Sequence, residues 1–219
     1  LLRRMDALPF DVRLEIPGWR LFWAHLALEP GSPDALSAVA HEVAARVRKE
    51  MQLETLAAHP AVAALRKLFK AAGCDPSRYR PSSEALLRRL LKGEEIPNIH
   101  PLVDLNNCLS ASLTVPCCVM AEETVSPPFA FRVGRPGESY ESLRGPFNLE
   151  GKPLLVDAQG PCDAPITGSQ RVKVTAQTRH AWLVAYLPDG VVAPTEAERQ
   201  LNQLVSIAPV ACVLLVAAA

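Results

Sequence analysis

The apolar pattern of this chain changes period at Pro116, and that change constrains the fold more than any other feature of the sequence. Upstream, apolar residues recur every three to four positions, as on one face of an α-helix. Leu36, Val39, Ala40, Val43 and Val47 follow Pro33 and Asp34 in this way, and Val62, Leu65, Leu68 and Phe69 follow Pro60 and stop at Gly73. A loop from Cys74 to Pro81 leads to a third helix, EALLRRLLK, with Ser82 or Ser83 as its cap and Gly93 as its stop. Two strands are predicted before the first helix: Val12–Ile16, which alternates, and Arg20–Leu28 beyond the Pro17-Gly18 turn. Between Pro97 and Leu113 the chain is apolar, with Asp104, Asn106 and Asn107 embedded, and the pattern assigns no element there.

Downstream of Pro116, short apolar runs alternate with Gly- and Pro-rich turns: Cys117–Met120, Phe129–Val133, Leu154–Val156, Val172–Val174 and Ala181–Leu187. Each reads as a strand. A last helix is expected from Thr195, where Thr195 and Glu198 have capping-box spacing, and a strand from Val210 to Val216 ends the pattern. Helices followed by strands give the α+β class: a helical N-terminal part packed on a sheet-rich, β-sandwich-like core.

A chain of 219 residues suits one elaborated domain, 1–219, and is long enough to bury a sizeable core. Its 23 basic and 23 acidic residues balance, so composition gives no basic excess of the kind nucleic-acid binders show, and any such role needs a local basic face. Arg66, Lys67, Lys70, Arg78, Arg80, Arg88, Arg89 and Lys92 form the one locally basic region. A solvated helix face is its ordinary explanation.

The six cysteines form no C-x-x-C pair and stand near no histidine at zinc spacing, so reduced thiols in a cytoplasmic protein are expected. The N-terminal segment has no long apolar run behind its arginines, unlike a signal peptide, and the stretch from Ala208 is interrupted by Pro209 and too short for a bilayer, so no membrane partner is expected. G-x-S-x-G, P-loop, G-x-G-x-x-G and H-E-x-x-H patterns are absent, and the five histidines are scattered, so no metal or cofactor is predicted and no catalytic residue stands out. Asp104, in its apolar run, reads as a buried carboxylate bonded to backbone amides. Cys117 and Cys118, as neighbours on a strand, point to opposite faces, so one at most is expected to line a pocket.

Two blocks carry a resemblance. Ser82–Pro116, SSEALLRRLLKGEEIPNIHPLVDLNNCLSASLTVP, resembles the opening of the B3/B4 editing module of the phenylalanyl-tRNA synthetase beta subunit through Val103, Asp104, Asn107, Leu113 and Pro116. Asp157–Tyr186, DAQGPCDAPITGSQRVKVTAQTRHAWLVAY, resembles that module's later segment. Together they cover residues 82–187, the editing-like core of the predicted domain, with strands and helices in 1–81 before it and a helix and strand in 188–219 after it. The helical stretch before Ser82 is similar to freestanding relatives.

The resemblance implies a trans-acting aminoacyl-tRNA deacylase with mischarged tRNA as partner. Such a site positions a water and stabilises an oxyanion without a metal. Asn107 falls at the family's pocket asparagine, and Gly168, with Ser169 beside it, at the glycine-rich wall. Cys118 stands where the family has a pocket histidine, and Val184 where it has a glutamate, which implies a misattached amino acid less polar than tyrosine. Arg78, Arg80, Arg88 and Arg89 are then candidates for tRNA contact. The alternatives are a non-catalytic module that binds tRNA or an amino acid, and a domain acting on a small metabolite. The amino acid, the tRNA, the water-activating group and the oligomeric state are not legible in the sequence.

Overall fold

The computed structural model describes residues 7–31 and 33–219. The N-terminal expectation about targeting falls partly on residues 1–6, outside the described residues. The class is α+β. The strands are β1 (Val12–Leu14), β2 (Trp19–Leu28), β3 (Cys117–Ala121), β4 (Phe129–Val133), β5 (Ser139–Ser142), β6 (Gly145–Asn148), β7 (Pro153–Asp157), β8 (Gly160–Asp163), β9 (His180–Pro188) and β10 (Ala211–Ala218). The helices are α1 (Pro33–Glu50), α2 (Pro60–Ala71), α3 (Ser82–Leu91), α4 (Pro101–Leu113) and α5 (Pro194–Ile207).

The central sheet has the order β10-β2-β9-β3 and is antiparallel throughout. It draws strands from the start, middle and end of the chain. β2 and β9 occupy its interior, and most of both is buried on both faces, as central strands covered on two sides must be. One face meets helices α4 and α5. The other meets a second sheet, β1-β4-β7-β8, through aromatic pairs: Trp23 with Phe129 at 4.9 Å, Trp19 with Phe131 at 5.2 Å, and Phe131 with Tyr186 at 5.3 Å. Such pairs add to the large apolar area that each ring removes from water. The hairpin β5-β6 stands apart as a two-stranded sheet.

Helical periodicity is realised as expected in α1, where Leu36, Val39, Val43 and Val47 are buried, and in α2, where Val62, Leu65 and Phe69 are. The caps differ. Pro81 is the N-cap of α3 and Ala193 that of α5, neither with a side-chain hydrogen bond, so Ser82, Ser83 and the Thr195–Glu198 pair do not cap. At α3 the end is tied instead by the Ser82 amide donating to Pro165 O at 2.9 Å. Residues Val172–Val174 are not a strand. Gln170–Val172 form a 3-10 turn capped by Ser169 Oγ, which accepts from Arg171 N at 3.1 Å.

The segment that periodicity left unassigned is α4. His100 is its N-cap, with Pro101 at the first position and Nδ1 accepting from Leu102 N at 3.2 Å. Asp104 Oδ1 accepts from Ile99 N at 2.9 Å and His100 N at 3.3 Å. The aspartate is therefore the buried backbone-binding residue expected of it. Burial lowers the His100 pKa, which keeps the imidazole neutral and free to accept.

Candidate functional site

α4 ends at Thr114, whose φ of 62° is left-handed, and Ser110 Oγ donates to Val115 O at 2.7 Å across the turn. The chain then enters β3, the edge of the central sheet. Asn106 Nδ2 donates to Cys117 O at 3.3 Å and holds helix and strand together. On the opposite side, the hairpin β5-β6 is pinned to the segment after β8: Leu143 N donates to Gly168 O at 3.0 Å and Tyr140 Oη to Thr167 O at 2.5 Å.

Between these walls lies a cleft of about 700 Å³. Four of the sequence-derived candidates meet in it: Asn107 on α4, Cys118 on β3, Gly168 on the loop after β8, and Arg89 on α3. Ser169 is buried behind the wall and caps the turn at Gln170. Arg78, Arg80 and Arg88 do not line the cleft. Arg78 lies over the Tyr79 ring at 5.2 Å. Arg88 Nε donates to the fully buried Glu84 at 3.0 Å, Arg80 approaches the same carboxylate at 3.9 Å, and Arg66 grips it with two bonds of 2.7 and 2.8 Å. Both Cys117 and Cys118 line the cleft, against the expectation of one at most, because β3 has a free edge and the cavity wraps around it.

The floor holds a residue that the sequence did not single out. Asp163, at the end of β8, is fully buried. Its Oδ2 accepts the hydroxyl of Tyr186, and its Oδ1 has no hydrogen-bond partner. Burial pushes its pKa up to about 7, against the opposing effects of Tyr186, Cys118 and the Ala164 amide. Its neighbours do not compete for the proton. Burial, then the Asp163 charge, drives the Cys118 thiol and the Tyr186 and Tyr140 hydroxyls well above their ordinary range. Cys118 is thus a thiol and not a thiolate nucleophile. The signal that could have found Asp163 is an acid in a short strand, flanked by Cys162 and Ala164.

A second orphan atom, Asn106 Oδ1, is also buried in this wall, and the Asn107 side chain makes no hydrogen bond within the described residues. Buried polar atoms without partners are costly unless something else satisfies them. Asp163 is the one acid lining the cleft among the described residues, whereas Arg89, Arg144 and Lys173 line it as cations. Arg89 is engaged by Glu94 at 2.8 Å; Arg144 and Lys173 make no ion pair among the described residues. Arg171, the other basic residue of this stretch, is turned away into a two-bond pair with Asp157 at 2.9 and 3.1 Å. The cleft thus offers apolar walls, two buried oxygens without hydrogen-bond partners and positive charge around it, a combination suited to a ligand with both an apolar and an anionic part.

The sequence model of the B3/4 domain matches residues 64–207, and the chain belongs to that family. Every residue that lines the cleft falls inside the matched range. Among solved structures, the chain is similar to an N-terminal fragment of the phenylalanyl-tRNA synthetase beta subunit from Pyrococcus horikoshii, with 14% identity and a TM-score of 0.42. That match covers 94% of this chain and 51% of the other, so the chain spans about half the length of that fragment. A search of curated proteins finds no match.

Among the described residues, no helix is long and apolar enough to cross a membrane.

Proposed function

We propose that the chain is a trans-acting aminoacyl-tRNA deacylase, which hydrolyses the ester of a mischarged tRNA, and that Asp163 activates the water. The observation that carries this reading is the fully buried carboxyl on the cleft floor, with one oxygen held by Tyr186, the other free, and a pKa near 7. A general base is most effective when its pKa lies near the working pH. Asp163 Oδ1 takes a proton from water as the water oxygen bonds to the ester carbonyl carbon. Asn107 Nδ2 is free to donate to the resulting oxyanion. The carbon–oxygen bond to the ribose then breaks, the proton held by Asp163 passes to the departing ribose oxygen, and the carboxylate is restored. Arg144 and Lys173 line the cleft and would meet the phosphates of the acceptor end, and its apolar residues Val103, Val119 and Ile166 would receive an amino-acid side chain.

A second reading, binding without catalysis, is favoured by one relationship. Cys118 and Val184, which stand where the resembling family has a histidine and a glutamate, are cross-strand partners on β3 and β9. Both are uncharged, so the polar pair is replaced as a unit.

The deciding experiment measures release of labelled amino acid from a panel of matched and mismatched charged tRNAs, using the wild type, Asp163→Asn and Asn107→Ala. Release from a mismatched pair, rising with pH through about 7 and lost in Asp163→Asn, supports the deacylase. Absence of release across the panel by folded protein that still retains tRNA supports the binding module instead.

A further inference from the structure

Away from the cleft, the central sheet carries a second cluster. In the antiparallel register of β2 and β9, His25 is opposite Trp182 and His180 is opposite Ala27. The two imidazoles therefore share a face and stand one diagonal step apart, with ring centroids separated by 5.6 Å. Glu122 follows β3 directly, in a 3-10 turn closed by Thr124 Oγ1 donating to Ala121 O at 2.7 Å. Its Oε1 lies 3.1 Å from His25 Nε2 and its Oε2 3.6 Å from His180 Nδ1. Ligand atoms from all three residues fall within 4.8 Å of one another.

Neither contact is a hydrogen bond. His25 Nε2 is shielded from solvent and has no hydrogen-bond partner, although a carboxylate oxygen is 3.1 Å away. His41 and Glu95, at 3.0 Å, do form a regular hydrogen bond elsewhere in the chain. The His25 nitrogen thus faces an oxygen with no proton aligned between them. Nitrogen and oxygen ligands of one zinc-like ion, each about 2.0–2.2 Å from it, stand roughly 3–3.6 Å apart at tetrahedral angles. The observed separations of 3.1 and 3.6 Å, one to each oxygen of the Glu122 carboxylate, fall in that range. His25 is held in place by stacking on Trp182, with centroids 4.5 Å apart and planes 14° from parallel. The His180 side chain is 47% exposed, which leaves the cluster open to solvent on one side.

We propose that His25, Glu122 and His180 bind one divalent cation of the zinc type, with water in the solvent-facing position. Two imidazoles and one carboxylate suit zinc, cobalt or nickel, whereas magnesium and calcium require an oxygen shell. None of the three residues lines the cleft, so the site stands independently of the deacylase reading. The cation would tie the paired strands β2 and β9 to the turn after β3.

The test is calorimetric titration of the chelator-stripped full chain with zinc, alongside cobalt titration followed by visible absorption. One cation per chain is expected, with a cobalt spectrum free of thiolate charge-transfer bands. His180→Ala and Glu122→Gln, at partly exposed positions, are each expected to weaken binding roughly tenfold or more while the chain stays folded by circular dichroism. Cys212→Ser, which removes the exposed thiol, is expected to bind like the wild type. Absence of stoichiometric binding, affinity unchanged in both ligand variants, or thiolate bands lost in Cys212→Ser would each overturn the proposal.

Discussion

The hydroxyl of Tyr186, on β9, donates to Oδ2 of Asp163, on β8, and so links the two four-stranded sheets at the floor of the cleft. The bond holds one carboxylate oxygen and leaves the other without a hydrogen-bond partner. The titration of this single group can be followed through stability as well as activity.

The folded pKa of Asp163, about 7, is above the ordinary aspartate value. A raised carboxyl pKa means that the folded state holds the proton longer than the unfolded chain does. Its contribution to stability is therefore full below about pH 4 and is lost as pH rises through about 7. Asp163→Asn, close in shape and uncharged, is expected to remove that loss and to gain on the order of 1–3 kcal/mol over the wild type at pH 8. Thermal unfolding of both proteins from pH 4 to 8 measures it, and parallel curves would contradict the assignment.

Gly168 sits against the free oxygen of Asp163. A Cβ placed there would lie 3.5 Å from Asp163 Oδ1 and 3.5 Å from Leu143 Cδ1, which is ordinary contact. Gly168→Ala should therefore be tolerated. Gly168→Val adds two methyl groups over the same oxygen and is expected to lower turnover on charged tRNA by about 10²-fold with little change in melting temperature. Wild-type rates in the valine variant would remove Asp163 Oδ1 from the reaction.

Glu84 is buried beneath Arg66 and Arg88. Burial acts to raise its pKa, but hydrogen bonds from the two guanidinium groups outweigh burial and the net pKa is lowered. The stability it confers is thus present above the ordinary glutamate range and is lost as pH falls through the folded value. Glu84→Ala is expected to cost about 2–3 kcal/mol near neutral pH, less than a fully desolvated pair because both arginines are partly solvated. Urea denaturation at pH 7 and again in acid should show the variant and wild type converging at the lower pH.

Binding of tRNA should be salt-dependent, with the slope set by cleft cations. Arg144→Ala and Lys173→Ala are each expected to reduce the slope of log affinity against log salt by about 0.7. Arg88→Ala should leave that slope unchanged, since its guanidinium is committed to Glu84 at 3.0 Å. Filter binding across a salt series gives the comparison. A larger effect from Arg88 would place the nucleic acid along α3 instead of at the cleft.

The sequence by itself determined the elements whose residues bury one regular face. Leu36, Val39, Val43 and Val47 repeat at helical spacing because one stripe of α1 faces the core, and Phe129–Val133 reads as a strand because its turns are marked on either side. It also carried the family, through the order of its two blocks, and it singled out Asn107, Cys118, Gly168 and Arg89 as candidates, four residues that line one cleft. Helix α4 was obscured because Asp104, Asn106 and Asn107 interrupt its apolar stripe. Asp104 is satisfied by backbone amides, and the two asparagines face a cavity that only the folded chain encloses.

Tertiary structure alone decided which polar groups were orphaned, which were spent on ion pairs, and which met across long separations. The pKa of Asp163 arises from burial beneath Tyr186, which lies in another strand, and Arg88 loses its freedom to a carboxylate that Arg66 shares. His25, Glu122 and His180 meet through strand register, and no local spacing encodes that. Periodicity records which face of an element is buried, whereas the environment of a single side chain depends on what the other elements bring to it.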